Sequence, residues 1–180
     1  MTRILVAIDA GTTDVHGAEH VIAALDAVLP ATRSSYVAST HVVADGRIAV
    51  AVSWDADPQQ AQRDWPAEAL TAVPGADAVG VGALAATAQH RDRSQGRLVR
   101  YPGRVAVETV VTVATILAGS EIDEVRELAG GPLPGETMVD LREWARPTWQ
   151  DGRAVLVVQR ASTGWVPFES RHQIACCADH

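Results

Sequence analysis

Two histidines and two cysteines fall within the last nine residues of the chain, as His172, Cys176, Cys177 and His180. Imidazole nitrogens and thiolates in this combination form the ligand sets of tetrahedral zinc sites. Such sites usually separate their cysteines by two or more residues, whereas Cys176 and Cys177 are adjacent. The four residues are therefore a candidate metal site with zinc as its metal, and the alternative is a surface tail that binds none.

A second histidine pair stands near the N-terminus in the run His16-Gly17-Ala18-Glu19-His20. Its order matches the H-x-x-E-H motif of inverted zinc peptidases. Histidines four residues apart share one helix face and can grip a metal while the glutamate acts as a base. The motif favours a metal-dependent hydrolase, and the alternative is a solvated face of the first helix.

The aliphatic run Ile4 to Ile8 predicts a buried strand, and Asp9, Gly11, Thr12 and Thr13 follow directly in a turn. A carboxylate, two hydroxyls and a glycine backbone at the end of a strand are suited to holding a small ligand. These four residues are the first part of a candidate ligand site.

The segment 90–104 concentrates positive charge in an acidic protein. It carries five arginines against one aspartate, a net charge of +4, which leaves −11 for the rest of the chain. Guanidinium groups match the geometry of phosphates and carboxylates. Arg97, Arg100 and Arg104 therefore complete the candidate site for an anionic small molecule such as a nucleotide. The alternatives are that the same arginines dock on an acidic face of a second copy or lie in a solvated loop.

Composition excludes several classes of protein. The chain has 180 residues, 47% of them apolar, and a net charge of −7, as expected of a globular protein that is neither a general nucleic-acid binder nor a membrane-surface binder. All 15 basic residues are arginine, so no lysine can form a Schiff base or serve a P-loop. The apolar runs are too short for a signal peptide or a membrane span, which predicts a cytoplasmic protein.

The first half of the chain predicts the order β-α-β-β-α-β over residues 1–89. A helix is expected over 15–29, and the Asp45-Gly46 turn joins two alternating runs, 35–43 and 47–54, into an antiparallel hairpin. Asp57-Pro58 predicts the start of a second helix, which Pro66 should break, and 77–83 predicts a fourth strand. This order fits a ferredoxin-like sheet.

The second half predicts a mainly helical segment, 105–180, behind an arginine-rich loop, 90–104. Helical spacing of Glu108, Thr112 and Thr115 predicts a helix over 104–118, and further helices are expected to open at Ser120 and Thr137. Strands are predicted over 154–159 and 165–169. We therefore expect an α+β protein with a ferredoxin-like front half and a helical rear half packed as one domain.

The N-terminal quarter resembles a universal stress protein. The resemblance is carried by the strand Arg3 to Asp9, by Glu19-His20 within a helix, and by Thr40 to Val43. It implies an alternative α/β fold with a parallel sheet and a nucleotide site beside Asp9. The glycine spacing of that family's phosphate loop is absent, since Gly103 is followed by Arg104.

Three functions stay open at this point. The first is a domain that binds an anionic small molecule or nucleotide. The second is a non-enzymatic assembly subunit of a homo-oligomer, shell or virion, with arginines and tryptophans at its interfaces. The third is the metal-dependent hydrolase. Among the five tryptophans, Trp144 and Trp149 are expected to be partly exposed because they flank Arg146-Pro147.

Overall fold

The structure is a computed structural model that describes residues 1–29, 35–142 and 144–169. Its strands are β1 (Thr2–Ile8), β2 (Val37–Val42), β3 (Ile48–Ala56), β4 (Arg97–Arg100), β5 (Val110–Thr112), β6 (Glu124–Glu127), β7 (Met138–Asp140), β8 (Thr148–Gln150), β9 (Arg153–Ala161) and β10 (Gly164–Pro167). Its helices are α1 (Val15–Asp26), α2 (Trp65–Ala72), α3 (Val81–Asp92), α4 (Arg104–Val107) and α5 (Val113–Gly119). The predicted α+β class is confirmed at this level.

The chain forms two compact units. The first contains residues 1–102 and 148–152, and the second contains the described residues of 103–147 and 153–169. In the described residues, no helix is long and apolar enough to cross a bilayer.

The sheet of the first unit has the strand order β1-β3-β2-β4-β8. Each neighbouring pair is antiparallel, so the parallel sheet implied by the universal-stress-protein resemblance does not form. The predicted β2–β3 hairpin is confirmed, with Ser39 opposite Ala51. The ferredoxin-like arrangement is not confirmed, because β4 pairs with β2 instead of lying beside β1.

The prediction of a strand over 77–83 is wrong. Only Asp77 makes a β-bridge, with Asp9, and α3 begins at Val81. The Asp77 carboxylate accepts hydrogen bonds from the backbone N–H groups of Val79 and Gly80, at 2.8 Å each, and so turns the chain out of the sheet. Alternating glycine and valine had suggested a strand, but tertiary contacts decide such short runs.

The prediction of a polar loop over 90–104 is also wrong. This segment contains the end of α3, the strand β4 and the start of α4. Leu98 and Val99 are buried in the centre of β4. Because only two apolar residues stand between Arg97 and Arg100, the sequence shows no strand pattern at this position.

The second predicted helix starts later than expected. Asp57 and Gln60 do exchange the hydrogen bonds of a capping box, but they close a short 3₁₀ turn. Helix α2 begins at Trp65 with Asp64 as its N-cap. Pro66 lies in the first turn instead of breaking the helix, because a missing N–H is harmless there.

The second unit corrects the prediction of a mainly helical rear half. Its sheet has the order β9-β10-β7-β5, and β6 pairs parallel with β9. The helix expected over 104–118 is divided into α4, β5 and α5, since β-branched valines and threonines favour extended backbone. The helices expected after Ser120 and Thr137 give way to β6 and β7, whereas the strands predicted over 154–159 and 165–169 are confirmed as β9 and β10.

Candidate functional site

The loop after β1 engages its polar side chains within the first unit. The buried Asp9 carboxylate forms an ion pair with Arg47 at 2.7 Å and accepts a hydrogen bond from the Gly11 N–H at 2.9 Å. The Thr12 hydroxyl donates to the Ile48 carbonyl at 2.8 Å, and Thr13 is exposed. The loop is thus a closed turn fixed to the start of β3.

The three arginines of the predicted anion site are paired with carboxylates. On β4, Arg97 contacts Glu19 at 3.0 Å and Arg100 contacts Asp26 at 3.3 Å. Arg104 belongs to the second unit, where it contacts Glu108 at 2.8 Å. Arg97 and Arg100 thus each contact a carboxylate of α1 within the first unit.

The predicted metal ligands His172, Cys176, Cys177 and His180 lie outside the described residues. Within the described ranges, no group of three or more His, Cys, Asp or Glu residues could hold a metal ion. In α1, the rings of His16 and His20 meet edge to face, with centroids 4.3 Å apart. Glu19 of the same motif faces Arg97.

A buried polar network that the sequence did not predict lies on one face of the first sheet. Ser39 and His41 are two residues apart on β2, so they project to the same face, and the register places Ser53 of β3 there as well. His90 reaches this group from the inner face of α3. All four residues are buried.

A single set of proton positions accounts for the five shorter hydrogen bonds of this network. Arg3 can only donate, so Ser53 accepts from its Nη2 at 2.9 Å and donates its own proton to His90 Nε2 at 2.7 Å. The protonated Nδ1 of His90 then donates to the Ser39 Oγ at 2.7 Å, and Ser39 donates to His41 Nε2 at 2.7 Å. The chain ends where His41 Nδ1 donates to Gln89 Oε1 at 3.1 Å. Both imidazoles are neutral in this arrangement.

Burial keeps them neutral. Desolvation lowers the pKa of His41 to about 4, against smaller opposing contributions from hydrogen bonds to Gln89 and the Gln95 backbone. Desolvation also lowers the pKa of His90 to about 3, and the charge of a protonated His41 and the positive charges of Arg3 and Arg93 act in the same direction. A proton on either ring would be a buried charge without a carboxylate beside it among the described contacts.

Close backbone approaches shape the pocket around the two rings. A Cβ on Gly96, whose φ is +125°, would lie 2.5 Å from His41 Cε1. The Trp149 ring of β8 meets the His90 ring edge to face, with centroids 4.8 Å apart. Trp149 is therefore buried, which corrects its predicted partial exposure.

The two faces of the first sheet are packed very differently. One face holds the large side chains of the core, including Trp54, against α1 and α2. The other face presents Ala7, Ala49 and Ala51 to α3, where Ala86 completes a cluster of small residues. Because alanines bury little apolar area, α3 is held by weaker apolar packing and by the polar network.

The outer face of α3 is apolar as well. Val81 is 74% exposed and Leu84 is 59% exposed, and Ala88 continues the row one turn further. Val79, just before the helix, is also exposed. We call these four residues the α3 outer patch. A helix that is apolar on both its sides is normally covered on both.

Charged residues of opposite sign stand at the two ends of α3. The exposed Asp77 precedes its N-terminus, and Arg91 and Arg93 lie at its C-terminus with Asp92 between them. Gly82 in the first turn allows the Asp9 carboxylate to approach, since a Cβ there would meet Asp9 Oδ2.

Sequence patterns could have revealed only part of this. The alternation of Ser39 and His41 marks two polar side chains on one face of a predicted strand. His90 is distant in sequence, and nothing local connects it with them. Comparison of the chain with protein-family models, curated proteins and solved structures finds no match.

Proposed function

We propose that the protein is a non-enzymatic assembly subunit that forms a homodimer through the α3 outer patch. The observation that carries this proposal is the exposed row of Val81, Leu84 and Ala88 on a helix whose opposite side is also apolar. Exposed apolar clusters with charged rims mark interaction surfaces. A dimer would remove this row from water.

A second copy of this chain fits the patch because the patch is self-complementary. In a two-fold contact the same surface is used on both subunits, so two α3 helices would cross antiparallel with Leu84 near the axis. Val81 would then lie against Ala88 of the partner subunit. Asp77 would face Arg91 of the partner subunit, and the helix dipoles would oppose each other favourably.

Replacement of Leu84 by aspartate tests this proposal. Leu84→Asp buries a charge at the centre of the contact. We therefore expect it to raise the Kd of the dimer at least 100-fold, which corresponds to about 3 kcal/mol. Sedimentation velocity over a range of concentrations measures it. The matched control is Leu128→Asp in the second unit, because Leu128 is also an exposed leucine, at 44%. A wild type that stays monomeric at high micromolar concentration, or equal effects of both variants, would contradict the proposal.

The binding of an anionic small molecule remains a second candidate. It is favoured by Arg100 on β4, whose side chain is 36% exposed. A ligand at Arg97 and Arg100 would have to compete with Glu19 and Asp26. None of the described residues specifically favours the hydrolase, which stays a prediction.

The double variant Arg97→Ala, Arg100→Ala tests the second candidate. ATP should bind the wild type with an affinity that falls as salt is added, and the double variant should lose that affinity. We also expect the double variant to unfold more easily, by about 1–2 kcal/mol, since it removes the ion pairs that Arg97 and Arg100 form with the partly buried Glu19 and Asp26. Calorimetric titration and urea unfolding give the two readouts, with Arg142→Ala as the exposed control, at 69%. Absence of ATP binding to the wild type would rule out a nucleotide site.

A further inference from the structure

Helix α3 carries both the outer patch and His90, on opposite sides. Its inner side consists of Gly82, Ala83, Ala86 and His90. Anything that disturbs the position of His90 therefore also disturbs the surface proposed to contact the second copy.

We propose that α3 is an acid-releasable element: protonation of His41 and His90 detaches it from the sheet and separates the two copies. The part of this inference that concerns dissociation rests on the proposed homodimer. The release of α3 depends only on contacts within one chain.

The proton chain explains why release follows protonation. His41 Nε2 and His90 Nε2 each accept a hydrogen bond, from Ser39 and Ser53 respectively. A proton on either nitrogen turns this acceptor into a donor. The N–H group then points at a serine hydroxyl whose own proton points back at it. The hydroxyl must then rotate and donate to another acceptor. For Ser39 this acceptor is the Ala51 carbonyl, which at 3.5 Å gives only a long, weak hydrogen bond.

The charged groups around the rings do not compensate. From β1, Arg3 faces Ser53 and is itself paired with Asp55 of β3 at 3.3 Å. From α3, Arg93 adds a positive charge, and Gln89 is neutral. The remaining faces are formed by Trp149 of β8, by Gly96 and by the Gln95 backbone.

The carboxylate of Asp9 lies at the opposite end of α3, beside Gly82, and is paired with Arg47. An imidazolium under α3 is therefore surrounded by neutral or positive groups. Release of the helix would let water solvate it.

The direction of the pH effect follows from linkage. The histidines are neutral while α3 is docked and regain an ordinary pKa near 6.5 once it is released, so the released form binds more protons as the pH falls below about 6.5. Docking is complete above that value and is lost toward the pKa of the docked rings, about 4 for His41 and about 3 for His90. For two such groups the opening constant of α3 should rise roughly 50-fold between pH 6 and pH 5.

Amide hydrogen exchange as a function of pH tests the release. After correction for intrinsic exchange rates, the amides of α3 report the opening constant of the helix. Below pH 6, the logarithm of this constant should rise with falling pH with a slope that approaches two protons per opening event, whereas the amides of α1 should show no such dependence. His90→Gln keeps a donor and an acceptor at this position and should reduce the slope to about one proton. His20→Gln changes an exposed histidine and should leave the slope unchanged.

The outcomes separate this inference from the proposed homodimer. An α3 whose opening does not depend on pH in a dimeric wild type overturns the inference and leaves the homodimer standing. Acid opening of α3 in a monomeric wild type supports release and overturns the homodimer. If His90→Gln does not fold, His41→Gln replaces it with the same expected slope, and the wild-type profile alone still decides whether protons drive the opening.

Discussion

Gly96 and His41 lie so close together that no side chain larger than hydrogen fits between them. The backbone of Gly96 has a φ of +125°, and a Cβ there would lie 2.5 Å from His41 Cε1. Gly164 has nearly the same φ, +124°, but open space around it. An alanine at either position would therefore meet the same unfavourable backbone conformation, but only an alanine at Gly96 would also clash with the imidazole.

This pair gives a prediction about the buried network. Gly96→Ala should lower the free energy of unfolding by about 1–3 kcal/mol more than Gly164→Ala, because only the first substitution displaces a buried ring. Urea unfolding of both variants measures the difference. Equal losses would mean that the position of the His41 ring does not matter for stability.

For single residues, the sequence indicates which kind of group a side chain binds but not which residue is its partner. The arginines at 97 and 100 were recognised as anion-binding groups, and they do bind anionic groups, namely Glu19 and Asp26 of α1. Counting charge by segment could not anticipate this, because the carboxylates lie more than seventy residues away along the chain. The same distance problem concealed the contact of His90 with Ser39.

Among the elements, those fixed by local signals were predicted well. The Asp45-Gly46 turn places both residues at positive φ, 61° and 70°, and joins β2 to β3 as the predicted antiparallel pair. Helix α1 begins at Val15, as predicted, where Asp14 caps it by accepting a hydrogen bond from the Gly17 N–H. Such signals act over a few residues and do not depend on the rest of the chain.

Helix α3 could not be predicted in the same way. Its apolar residues surround the helix instead of following one face, so the sequence lacks the 3.6-residue period that identifies a surface helix. Gly82 lowers its intrinsic helix propensity further. The helix forms because Gly82 fits against Asp9 and because Ala86 packs on the alanines of β1 and β3. In the proposed dimer, the outer apolar residues that obscure the helical period form the contact between the two copies.

For the whole molecule, net charge opposes association and the outer patch favours it. Each chain carries a formal charge of −7, so two copies repel each other at low ionic strength. The patch itself is uncharged and is bordered by Asp77 on one side and Arg91 on the other. Moderate salt should therefore screen the long-range repulsion without weakening the apolar contact.

Disulfide trapping at Leu84 tests the association of two copies through α3. A residue on a two-fold axis lies beside its own copy, and two cysteines link when their Cα atoms are within about 7 Å. In a background with Cys176→Ser and Cys177→Ser, we expect Leu84→Cys to form a covalent dimer under mild oxidation, while Leu128→Cys stays monomeric on a denaturing gel. A dimeric protein in which Leu84→Cys does not cross-link, or cross-linking no faster than that of Leu128→Cys, would contradict association through α3.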